Sequence, residues 1–89
     1  LTFPFRQKEI SQTSVLRTFS SDVDPGDLIW HRDREDRVIT VVSGVGWEVQ
    51  LEDELPQPLR VNESVFIESG TWHRVIKGTE DLIVKIDFV

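Results

Sequence analysis

The sequence contains no cysteine. That excludes disulfides, a thiolate nucleophile, Cys-ligated zinc and iron–sulfur clusters. Positive charge is also scarce, with ten Lys and Arg against sixteen Asp and Glu, for a formal net charge of −6. Affinity for a phosphate backbone comes largely from Lys and Arg releasing counterions, so no nucleic acid is expected as a partner. Long hydrophobic runs are missing as well. The longest, Val38 to Val42, falls far short of the roughly 20 residues of a membrane-spanning helix, and no membrane partner is expected. The segment Leu1-Thr2-Phe3-Pro4-Phe5-Arg6-Gln7-Lys8-Glu9 lacks the basic, then apolar, then small-residue order of a secretory leader. A cytoplasmic location is therefore expected. Few windows sustain helical periodicity, and internal repeats, linkers and low-complexity tracts are absent. Eighty-nine residues leave room for one domain, 1–89, with a thin stability margin, because a chain this short buries only about 60–65% of its unfolded surface.

What the sequence does have is alternation with period two and short β-branched runs. Val15, Arg17 and Phe19 fall on one side of Thr13 to Phe19, with Leu16 and Thr18 on the other. Arg37 to Ser43 is rich in Val and Ile. Trp47, Val49 and Leu51 alternate with Glu48 and Gln50, and Leu82, Val84, Ile86 and Phe88 with Lys85 and Asp87. Leu59 to Val61 and Val65 to Ile67 read as short strands on either side of Asn62-Glu63-Ser64, which is read as a turn rather than a glycosylation site. The separators carry turn chemistry: Asp24-Pro25-Gly26-Asp27, Ser43-Gly44-Val45-Gly46, Ser69-Gly70-Thr71 and Lys77 to Asp81. Glu52 to Pro58 suits an exposed hairpin loop, and only Ser20 to Pro25 has room for a helical turn. About eight closely spaced strands favour an all-β sandwich or barrel.

The two histidines, His31 and His73, each lie at the edge between a turn signal and a strand. If Ile29 to Asp33 is extended, His31 and Asp33 project to the same face. An imidazole and a carboxylate so placed make half a site for a divalent transition metal, and a second imidazole from a distant strand completes a two-His, one-carboxylate face. The same residues also read as two ordinary histidines, one of them near a carboxylate. The glycine pair Gly44 and Gly46 lacks the following helix and lysine of a phosphate loop. No serine has a glycine-flanked elbow, and Glu52, Asp53 and Glu54 look like solubilising loop charges.

Gly26, His31-Arg32-Asp33, Arg37 and, after six intervening residues, Gly44 follow the first motif of the cupins, and Asn62 through Gly70 to His73, with Lys77, follows the second. The chain resembles a small single-domain cupin, which implies an all-β double-stranded β-helix, or jelly-roll barrel. Cupin metals are usually held by three histidines and a glutamate. Carried over residue by residue, that set becomes His31, Asp33, Arg37 and His73. Asp33 is able to replace a histidine as ligand, whereas the Arg37 guanidinium has no acceptor.

Two readings follow from the resemblance. In one, His31, Asp33 and His73 hold Fe, Mn, Ni or Zn, and Arg37 faces the same cavity to fork an anionic small molecule. In the other the metal is lost, and Asp33 pairs with Arg37 inside a small-molecule binding or sensing pocket. A structural or interaction module is a third possibility. The dense His31 to Arg37 charge alternation is either a solvated edge or a pocket rim that orients the histidines. Trp30 and Trp72 each precede a histidine and should face away from it. Trp47 shares parity with Val49 and Leu51, which puts it in the core or makes it a wall of the ligand cavity. The resemblance also implies a homodimer paired through sheet edges, with Phe3 to Ile10 as a spare segment for that purpose.

Overall fold

The computed structural model describes residues 3–89; Leu1 and Thr2, the start of the segment read for a leader, lie outside the described residues. Among the described residues eight strands form two antiparallel sheets. The larger sheet takes β1 (Arg6–Glu9), β2 (Ser14–Phe19), β3 (Arg37–Ser43), β6 (Ser64–Ile67) and β8 (Leu82–Phe88) in the order β1-β2-β8-β3-β6. The smaller takes β4 (Glu48–Leu51), β5 (Gln57–Pro58) and β7 (His73–Ile76) in the order β5-β4-β7. The chain is thus all-β, as its alternating segments predict, and forms the jelly-roll barrel that the cupin resemblance implies.

The alternation tells which side chains fill the space between the sheets. On β2, Val15 and Phe19 are buried, and on β8 so are Leu82, Val84 and Ile86. Their partners Val41, Trp47, Val49, Leu59 and Ile67 complete one core. Lys85 and Asp87 fall on the other face of β8 and approach each other at 3.6 Å. In β3 the pairing with β8 slips between Val41 and Ser43, and Val42 is exposed while Val41 is buried. A slip of one residue exchanges the two faces of a strand, so this bulge ends the inward-facing run.

Three local expectations are corrected. The strand read over Leu59 to Val61 lies two residues earlier, at Gln57–Pro58, paired with Val49 and Glu48. Leu59 still points inward, its N–H donating to the Trp47 carbonyl at 2.9 Å. Asn62 at φ 70° then turns the chain and removes Val61 from any ladder. The helical turn falls at Pro25–Asp27, a single 3-10 turn capped by the Asp24 side chain, which accepts from the Gly26 N–H at 2.9 Å. Finally, Arg6–Glu9 within the supposedly spare segment pairs with β2 of its own sheet.

Candidate metal centre and its cavity

His31 and His73 come from segments far apart in sequence, and the backbone binds them together. The His31 N–H donates to the His73 carbonyl at 3.0 Å, and the His73 N–H to the His31 carbonyl at 2.8 Å. This closely exchanged pair lays His31 beside β7 on the side away from β4. The two rings stand 4.2 Å apart, centroid to centroid. Each ring is oriented in the same way. Nδ1 of His31 lies 2.9 Å from the Ile29 carbonyl, and Nδ1 of His73 lies 2.8 Å from the Thr71 carbonyl. A carbonyl only accepts, so both Nδ1 atoms carry a hydrogen, and in the neutral imidazole this leaves Nε2 as the atom with the free lone pair.

Asp33 sits in a stretch without regular structure, held by three hydrogen bonds to the Ser69-Gly70 turn. The Gly70 N–H donates to the Asp33 carbonyl at 2.8 Å, the Ser69 N–H to Asp36 Oδ1 at 2.7 Å, and Ser69 Oγ to the Arg34 carbonyl at 2.7 Å. The stapled stretch keeps a two-residue alternation. His31, Asp33, Glu35 and Arg37 line the cavity. Arg32 instead lies over the Trp72 ring at 5.2 Å, with Arg74 over Trp30 at 4.9 Å. Both indoles are partly exposed and face away from the histidines, as their parity predicts. The charge alternation is thus both of the things it was read as, a solvated face and a pocket rim.

Arg37 is buried at 5% exposure. Its Nη2 donates to Glu35 Oε1 at 2.6 Å, and its Nη1 stands 3.4 Å from Asp33 Oδ2. The same Asp33 oxygen lies 3.3 Å from His73 Nε2. It is buried and accepts no hydrogen bond among the described residues. Burial pushes the His73 pKa below the ordinary histidine value, outweighing the Thr71 carbonyl and the nearby Asp33, which raise it. The ring is therefore neutral near pH 7, the form a metal requires.

These residues fit a metal ion. One ligand atom from each of His31, Asp33 and His73 falls within 4.8 Å of the others. Ligand bonds of about 2.1 Å put neighbouring donors roughly 3.0–3.4 Å apart, which matches the 3.3 Å between His73 Nε2 and Asp33 Oδ2. A buried carboxylate oxygen with no hydrogen donor is the kind of atom an ion would satisfy. Arg37, at the position where cupins usually carry a glutamate, contributes no ligand.

The cavity measures about 730 Å³ and runs between the two sheets from this cluster to Phe5. Trp47 is not among its lining residues. It is buried in the core and its Nε1 donates to the Glu80 carbonyl, so its role as a cavity wall is withdrawn in favour of packing. One lining residue escaped the sequence reading. Arg17 faces inward from β2, at the parity of Val15 and Phe19, and that parity was the available signal.

The sequence model of the Cupin_2 family, described as Cupin domain, matches residues 19–88. The chain belongs to this family. No curated protein matches the sequence. Among solved structures, KdgF from Halomonas sp. is similar at 19% identity and a TM-score of 0.74, over 99% of this chain and 82% of that one. The Co(II) form of HppE is similar at 16% identity and 0.76, over 100% of this chain and 55% of that one. The DMSP lyase DddQ from Ruegeria pomeroyi DSS-3 is similar at 15% and 0.74, over 96% and 46%. The chain thus spans about half the length of these last two enzymes, and the likeness concerns the fold.

Proposed function

We propose that this chain is a metallo-cupin that binds a small molecule in its barrel, with His31, Asp33 and His73 holding a divalent transition metal. The observation that carries the reading is Asp33 Oδ2, buried without a hydrogen donor and 3.3 Å from a neutral imidazole nitrogen. HppE, similar in fold, has been solved with Co(II) and with Fe(II), which supports a first-row metal from the set Fe, Mn, Ni and Zn. Such an ion supplies a Lewis acid and an open position for a substrate or water. The chain's own residues do the rest. Ile29 and Thr71 fix the imidazole tautomers, Arg37 positions Asp33, and Val84, Ile86 and Phe88 give the same cavity an apolar wall. Arg37 has both terminal nitrogens turned to carboxylates, so it serves better as this positioning residue than as the fork for an anionic substrate.

One observation favours a second reading, a metal-free binding barrel: Arg37 Nη1 already stands 3.4 Å from the Asp33 oxygen that a metal would use. Elemental analysis of untagged protein purified without chelator separates the two. The metal reading expects close to one transition metal per chain, lost in His73→Ala, and a visible Co(II) absorption on reconstitution that this variant lacks. Protein that arrives without metal and refuses added Fe(II), Mn(II), Ni(II) and Zn(II) establishes the second reading.

A further inference from the structure

Two arginines line the cavity, and their charges are handled differently. Arg37 is compensated by Glu35 and Asp33. Arg17 forms no ion pair with a carboxylate among the described residues. Its hydrogen-bond partner is the neutral amide of Gln7, whose Oε1 accepts from Nε at 2.9 Å and from Nη2 at 2.7 Å. The guanidinium carbon lies 3.8 Å over the Phe5 ring, which fixes the plane of the group. Burial, and then the nearby charge of Arg37, lower the Arg17 pKa to about 10 against a smaller opposing pull from Asp33, which leaves it cationic at neutral pH. A partly desolvated cation with no carboxylate in direct contact is costly to keep in an apolar wall.

The hydrogen bonds also show which part of Arg17 is free. Gln7 takes the side edge, made by Nε and Nη2. The end edge, with one hydrogen on Nη1 and one on Nη2, has no partner among the described residues. That edge presents two parallel donors, the complement of a planar carboxylate. From this we infer that Arg17 is the anion receptor of the cavity and that the ligand is a small monocarboxylate with an apolar body, its carboxylate on the end edge of Arg17 and its body among Phe19, Leu28 and Ile86. The inference rests on reading the cavity as a small-molecule site and does not require the His31, Asp33 and His73 cluster to bind metal.

The test uses benzoate with benzamide, and hexanoate with hexanamide, as paired probes of equal shape and different charge. Binding is followed by NMR on the full chain, including the arginine Nε–H signals, once in EDTA and once in Zn(II). In EDTA the carboxylates should bind at least about ten-fold more tightly than the amides, with the Arg17 signal moving. Arg17→Gln should bring that ratio close to one. Gln7→Glu should do the same, because a fixed carboxylate then occupies the guanidinium while Gln7 lies exposed on an edge strand where the change is tolerated; this variant decides the matter if Arg17→Gln fails to fold. Equal binding of acid and amide, binding of neither pair, or a ratio that survives in Gln7→Glu overturns the assignment. So does a preference for carboxylates that appears only with Zn(II), which assigns the anion to the metal. Failure of the metal reading shows separately, as absence of metal uptake with the EDTA ratio intact.

Discussion

His73 has its Nδ1 hydrogen committed to the Thr71 carbonyl and its ring buried. Protonating Nε2 would bury a cation, with His31 and Arg37 close by, and the Thr71 carbonyl and Asp33 only partly offset that cost. The folded-state pKa is therefore below the unfolded one, and between the two values the unfolded chain binds more protons. By linkage, stability rises with pH across that window: it is fully present above the ordinary histidine value of about 6.5 and falls as pH drops below it. Metal-free protein should accordingly lose stability as pH falls below about 6.5 more steeply than His73→Gln, which cannot charge. Urea denaturation midpoints at a series of pH values measure this, and parallel slopes for the two proteins would refute a depressed His73.

Among the elements, the β7–β8 connection shows where packing depends on a single missing side chain. A Cβ on Gly78 would lie 2.2 Å from the Val45 carbonyl and 2.6 Å from the Trp47 backbone nitrogen, atoms that cannot swing away. Gly70, by contrast, has open space and only its φ of 81° to maintain. Gly78→Ala should therefore cost roughly 3 kcal/mol, by analogy with overpacked cores, and Gly70→Ala about 1 kcal/mol, the cost of a left-handed backbone. Thermal unfolding should place Gly78→Ala well below Gly70→Ala, and equal midpoints would contradict the packing account. The contrast also explains what was readable beforehand. Gly70 lies inside a spacing pattern with His73, whereas Gly78 matters through contacts more than thirty residues away in sequence. Strand parity correctly grouped Trp47 with the buried Val49 and His31 with Asp33, while the cavity-facing Arg37 followed from the cupin resemblance. Parity does not say where two inner faces close on each other, as around Trp47, and where they part to leave a cavity. Arg17 was overlooked for a related reason, since its meaning depends on Gln7 and Phe5, brought beside it only by the pairing of β1 with β2.

In the molecule as a whole, the site and the core share residues. Leu82, Val84 and Ile86 belong to the buried core and also line the cavity of about 730 Å³. A domain of 89 residues has a marginal free energy of unfolding, and one that leaves this much space between its sheets depends more than most on what fills it. Any ion or ligand that binds only the folded state adds stability by mass action, about 2.7 kcal/mol at one hundred times its dissociation constant. For a domain of this size that corresponds to a rise in Tm of roughly 10–20 °C. Zn(II) at such an excess should produce a shift of this order in the wild-type protein and almost none in His73→Ala, as followed by calorimetry. A shift of equal size in both proteins would mean that the ion acts at surface carboxylates, of which this acidic chain has many, and the link between the His31, Asp33 and His73 cluster and the stability of the barrel would be lost.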